Sequence, residues 1–143
     1  MRKTVAHLLD GKGTDVWAVD VDATVYEALQ MMAEKNLGAL IVLKNGELAG
    51  IMSERDYARK VILLDRISRE TRVAEIMTAD VITVSPLQSV NDCMELMTEH
   101  RIRHLPVVEG GKLTGVVSIG DVVKGVIAQQ EALIIQLEQY ITS

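Results

Sequence analysis

The feature that most constrains this chain is an internal repeat at a fixed offset of 65 residues. Gly50-Ile51-Met52-Ser53-Glu54-Arg55-Asp56 returns as Gly115-Val116-Val117-Ser118-Ile119-Gly120-Asp121. Both copies read Gly, two apolar residues, Ser, two variable residues, Asp. The same offset pairs Val25 with Val90, Met32 with Met97, Leu40 with Leu105, Val42 with Val107, Gly46 with Gly111 and Leu48 with Leu113. A register held without a gap over about forty positions marks a tandem duplication, so whatever one half folds into, the other half folds into as well.

Each copy of the motif reads as a strand running into a helix. The apolar pair ends the strand, Ser stands at the cap and Asp follows three residues later. Two readings fit this pattern. In one, Ser and Asp form a capping box, the hydroxyl taking a helix N–H while the acid reaches back. In the other, the helix N-terminus and the hydroxyl hold an anion and the carboxylate accepts from a diol such as a ribose.

In chain order, Thr4 to Leu9 predicts a short helix stopped by Gly11 and Gly13, echoed by Arg72 to Met77 ahead of the second repeat. The spacing after the first copy is three residues longer, an insertion around Gly11 to Asp15. His7 falls on the surface of that helix without a role. Val16 to Val21 predicts a strand, and Thr24 to Glu27 a capping box. Val25, Ala28, Leu29 and Met32 then make one helical face. Ala39 to Leu43 and Leu48 to Met52 form a hairpin about Asn45-Gly46, and Ser53 opens a helix through Tyr57, Val61 and Leu64.

The second half repeats the order: a strand from Val81 to Val84, a capping box at Ser89 to Asp92, a buried face of Val90, Cys93, Met94 and Met97, and a second hairpin. Cys93 takes the place of Ala28, a core position. The last helix keeps an apolar stripe through Val123, Val126, Ile127, Leu133, Ile134, Leu137 and Ile141. That is more than one small domain covers, and it points to self-association as a homodimer. Between Arg55 and Arg72 the bases Arg55, Arg59, Lys60, Arg66, Arg69 and Arg72 outnumber the acids, as a solvated face or a partly phosphate-facing one.

Composition narrows the class. Apolar residues make up 48% of the 143 positions, yet Phe is absent. The core is therefore aliphatic, which suits strands covered by helices. A net charge of −5 argues against nucleic acid or an anionic membrane as partner. A lone cysteine excludes an internal disulfide. No signal peptide or membrane-length apolar run is present, so the expected location is the cytoplasm.

The repeated Gly-apolar-apolar-Ser-x-x-Asp motif resembles the cystathionine-β-synthase (CBS) domain, and the tandem resembles a CBS pair, or Bateman module, of the small stand-alone prokaryotic type. The resemblance covers nearly the whole chain. It implies an α/β (α+β) fold of two β-α-β-β-α repeats, 1–70 and 71–143, about a pseudo-twofold axis, with an extended C-terminal helix. It further implies clefts lined by both repeats that take an adenosine nucleotide: AMP, ADP, ATP or NAD. Carried over residue by residue, the main cleft holds Ser53, Arg55 and Asp56 with Thr83, Ile102, Arg103 and His104. The second holds Ser118, Gly120 and Asp121 with Ala18, Gly38 and Ala39, and no side-chain cation of its own. The phosphate-binding preference therefore falls to the Ser53/Asp56 cleft.

The expected function is a non-catalytic regulatory module, a homodimer signalling to an effector protein in trans. The alternative is a ligand-free dimerisation scaffold. An enzyme is disfavoured, since no nucleophile with its base and no ligand cluster of metal spacing is legible.

Overall fold

The computed structural model describes residues 3–142. The order is α1 (Val5–Lys12), β1 (Ala18–Asp20), α2 (Val25–Lys35), β2 (Ala39–Lys44), β3 (Glu47–Ser53) and α3 (Glu54–Tyr57), which runs into a π-helical turn over Ala58–Ile62. After a 3-10 turn at Ser68–Glu70 come α4 (Val73–Ile76), α5 (Val90–His100), β4 (His104–Glu109), β5 (Lys112–Ser118) and α6 (Ile119–Thr142).

Local chemistry sets these boundaries twice over. The Thr24 hydroxyl accepts from the Glu27 N–H at the start of α2, and Ser89 accepts from Asp92 at the start of α5. Both helices end on a left-handed residue, Asn36 (φ 57°) and its counterpart Arg101 (φ 54°). The hairpins turn on Asn45-Gly46 and Gly110-Gly111, all with positive φ, the conformation that two-residue hairpin loops require. In β2–β3, Ala39 pairs with Ser53 and the register slips between Val42 and Leu43. In β4–β5, His104 pairs with Ser118 and the slip recurs between Val107 and Val108.

Two compact units result, and they do not follow the sequence boundaries at 1–70 and 71–143. One unit is Val16–Val81; the other joins the stretch up to Asp15 to everything from Ile82 onward. The reason is backbone pairing by the two leader helices, α1 and α4. In α1, Val5 N–H donates to Gln88 O and Ala6 N–H to Pro86 O, while Val90 N–H donates to Lys3 O. In α4, Val73 N–H donates to Ala23 O and Ala74 N–H to Val21 O, while Val25 N–H donates to Thr71 O. These are the same three bonds. Each leader therefore joins the repeat it does not precede.

The cores match as well. Val25, Ala28, Met32, Leu40, Val42 and Val73 are buried in one unit, and Val90, Cys93, Met97, Leu105, Val107 and Val5 in the other. Cys93 is fully buried, and burial, with the neighbouring Asp92, pushes its thiol up to about 11. It is a core thiol, as its periodicity indicates.

Three local expectations are corrected. First, Val81 to Val84 is no strand: only Val84 bridges, to Val107, where β1 pairs three residues with β2. The chain's two prolines explain this. In the first repeat Val21 N–H donates to Leu43 O, and Ile41 N–H to Trp17 O. The corresponding residues are Pro86 and Pro106, which have no N–H to give. Second, α3 is a single turn followed by π geometry, with Leu63 N–H reaching back to Ala58 O and Arg66 N–H to Val61 O. The register shift leaves Val61 buried and Leu64 exposed. Third, Gly11 does not stop α1, which runs one turn further to Lys12 and ends at Gly13 (φ 100°).

The first glycine of each motif is fixed by the leader that packs on it. A Cβ on Gly50 would stand 2.6 Å from Thr78 O and 2.9 Å from Met77 Sδ; one on Gly115 would stand 2.9 Å from Leu9 Cδ2. A carbonyl cannot step aside, whereas the end of a leucine can. Gly50→Ala should therefore cost about 1–3 kcal/mol, and Gly115→Ala less, when the two are compared by urea unfolding.

Candidate functional site

In both repeats the motif closes as a full capping box. The Ser53 backbone N–H and hydroxyl both donate to Asp56 Oδ2, at 3.0 Å each, and the Asp56 N–H returns to Ser53 Oγ at 3.2 Å. Ser118 N–H and Oγ reach Asp121 Oδ2 at 2.8 and 3.0 Å, and Asp121 N–H returns to Ser118 Oγ at 3.3 Å. The box is forced by the register. Ser is the last strand residue, so its N–H is turned away from the hairpin ladder just where the helix begins.

Around this shared box the two carboxylates differ. Asp56 Oδ1 accepts from Thr78 Oγ1 at 3.2 Å and pairs with Lys60 Nζ at 3.1 Å, and Lys60 also donates to Ile76 O at 2.9 Å. Four donors thus meet a group with about four acceptor positions, and the side chain is only 10% exposed. In the other unit Lys12 Nζ stands 2.7 Å from Asp121 Oδ2 and 2.8 Å from Val116 O. Three donors converge on Oδ2, and the side chain keeps 20% exposure. Desolvation pushes the Asp121 pKa up, but hydrogen bonds from Lys12 and Ser118 outweigh it and hold the carboxyl below its ordinary 3.8.

Lys12 corrects the expectation that the Ser118/Asp121 site has no side-chain cation. It lies outside the repeats, in the extra turn of α1, and nothing in the 65-residue register marks it. The spacing change around Gly11 to Asp15 was the available signal. Lys60 was visible only as one of six bases. Of these, Lys60 holds Asp56, Arg66 meets Glu75, Arg69 lies over the Tyr26 ring at 4.0 Å, and Arg72 pairs with Asp22 at 3.1 Å. Most of that basic run thus serves packing within its own unit.

The remaining predicted residues fall as follows. Arg55 is exposed on α3, and its counterpart Gly120 is exposed on α6. Gly38 O accepts from Glu54 N–H and Ala39 pairs with Ser53, so both lie beside the first motif; Ala18 is on β1, opposite Ile41. Arg103 O accepts from Ile119 N–H and His104 pairs with Ser118, which sets both beside the second motif. Ile102 packs on that unit's core, and Thr83 is exposed next to the Val84 bridge. Each unit thus brings together a motif and the strand before it. His7 accepts the Thr4 N–H on Nδ1 at 3.0 Å, a cap for α1. Among the described residues no three His, Cys, Asp or Glu side chains gather as a metal site. No described helix is long and apolar enough to cross a membrane.

Comparison with known proteins places these features in context. The family model for the CBS domain matches residues 13–63 and 73–128. The chain is 43% identical over 148 residues to the mitochondrial CBS domain-containing protein CBSX3 of Arabidopsis thaliana, spanning 96% of this chain and 71% of that one. It is 32% identical over 123 residues to the CBS domain-containing protein YhcV of Bacillus subtilis, spanning 86% and 87%. Among solved structures, a protein with CBS domains from Burkholderia ambifaria superimposes with a TM-score of 0.86 at 55% identity, covering 90% of this chain and 96% of that one. A hexameric CBS-CP12 protein from bloom-forming cyanobacteria gives 0.77 at 31% identity, covering 86% and 71%.

The lowered Asp121 pKa carries a pH dependence. A depressed carboxylate contributes stability above its unfolded pKa and loses it as pH falls through the folded value. The stability difference between wild type and Asp121→Asn should therefore be constant from neutrality to about pH 5 and shrink below about pH 4. Urea unfolding at stepped pH reads this, and in Lys12→Met the step should be smaller.

Proposed function

The chain belongs to the CBS-domain family as a tandem pair of repeats, and on that premise we propose that it is a non-catalytic regulatory module for adenosine nucleotides. AMP, ADP, ATP or NAD would bind at the two Ser-x-x-Asp motifs, and occupancy would be read by a partner protein in trans. The observation that carries this reading is the repeated junction itself. Each unit holds a serine hydroxyl, a helix start, a carboxylate and a lysine ammonium within one hydrogen-bonded group. These are the donors a phosphate needs and the acceptor a ribose diol needs.

Hydrogen-bond supply ranks the two sites. A diol approaching Asp56 meets a carboxylate with four donors already in place; one approaching Asp121 meets Oδ1, the edge its capping contacts do not use. Cation count along the sequence favours the Ser53/Asp56 site. We rank the Ser118/Asp121 site first, because displacing a buried donor costs more than an added surface charge returns.

The scaffold reading draws on a different observation. Beyond Gln129 every described residue of α6 is exposed, including Leu133, Ile134, Leu137 and Ile141. A second copy of the chain is the partner we assign to this stripe, in keeping with oligomeric assembly of the hexameric relative. We assign the protein to the cytoplasm, where a lone buried thiol stays reduced.

Calorimetric titration with AMP, ATP and NAD tests the nucleotide reading. Asp121→Asn should weaken the tighter site about tenfold or more, and Asp56→Asn the weaker one. Absence of binding to wild type at millimolar ligand would leave the scaffold. Light scattering should give twice the 15.7 kDa monomer mass, and Leu137→Glu should shift that mass toward the monomer.

A further inference from the structure

We infer that Lys12 is a phosphate-selecting residue of the Ser118–Asp121 site, a role that rests on the nucleotide reading above. The first support is duplication within the molecule. Lys60 lies four residues after its motif aspartate and pairs with it. The position 65 residues on is Gly125. α1 packs directly on that position: a Cβ there would stand 2.8 Å from Leu8 Cδ2 and 3.1 Å from Val90 Cγ1, so a lysine in that place would displace both packed side chains. The same helix supplies the ammonium from its own last turn, as Lys12. Two different elements thus bring a lysine to the same motif aspartate. Each ammonium is anchored by that carboxylate and one backbone carbonyl, Ile76 O for Lys60 and Val116 O for Lys12.

The second support is that stability alone gives little reason for the pair. The Lys12 side chain is 37% exposed, and an ion pair with one partner so open to water adds little to stability. An ammonium carries three N–H donors. Two are committed, to Asp121 Oδ2 and Val116 O. The third is available to a ligand oxygen next to the carboxylate that takes the diol. Lys12 also cancels the Asp121 charge, which would otherwise repel a phosphate held beside it. Removing Lys12 therefore penalises a charged ligand twice and a neutral nucleoside hardly at all.

The test is a ratio. In an Asp56→Asn background, which weakens the other site further, ATP and adenosine are titrated calorimetrically against Lys12, Lys12→Met and Lys12→Arg proteins, and the tighter site is read. Lys12→Met should lower the ATP-to-adenosine affinity ratio about tenfold or more. Lys12→Arg should largely keep it, and Lys60→Met in the same background should leave it unchanged. A Lys12→Met protein that weakens both ligands alike, or neither, overturns the inference while the nucleotide reading stands. A parent that binds neither ligand removes both.

Discussion

The structure depends on the backbone pairing between each leader helix and the repeat it joins. Val5 and Ala6 donate to Gln88 and Pro86 carbonyls, and Val73 and Ala74 donate to Ala23 and Val21 carbonyls. These bonds cap the start of α5 and α2 from outside, bury Val5 and Val73 in the two cores, and bring Leu9 and Met77 onto Gly115 and Gly50. Without the leader, a repeat would leave its hairpin glycine uncovered and its first helix unsupported. The motif serine and aspartate follow directly after that glycine, so the leader also fixes where the candidate site stands.

Against this common frame, the two repeats have diverged by substitutions with definite physical effects. Pro86 and Pro106 remove two donors and reduce a three-residue parallel ladder to one bridge. Gly125 in place of Lys60 lets α1 approach, and the extra turn of α1 then returns a lysine to Asp121. Thr78 adds a fourth donor to Asp56 that Asp121 does not receive. One motif is therefore saturated and nearly closed, the other anchored on one oxygen and partly open. The surroundings of a duplicated motif can thus diverge, one carboxylate enclosed by four donors and the other left with an open edge, without any change in its Ser and Asp.

The capping box does not compete with the proposed ligand role of Ser-x-x-Asp. The box uses Oδ2, the serine N–H and hydroxyl and the aspartate N–H, and it holds the carboxylate in place. A carboxylate so held would lose little rotamer freedom on accepting a diol, which is the kind of preorganisation that reduces the cost of binding.

Much of this was legible in the sequence because it rests on local chemistry repeated twice. The 65-residue register fixed the paired cores, the hairpins at Asn45-Gly46 and Gly110-Gly111, the helix starts at Ser53 and Ser118, and the buried place of Cys93. Periodicity and turn chemistry act over a few residues and leave a mark in the order of side chains. What tertiary structure alone decided involves partners distant in the chain. A separation of 109 positions between Lys12 and Asp121 conceals their ion pair, and the exchange of leaders sets the two units across the sequence boundaries. The shortened strand at Val84 was decided jointly by Pro86 and by Pro106 across the sheet. Proximity made by folding leaves no periodic trace, so only the folded chain shows which lysine each aspartate holds.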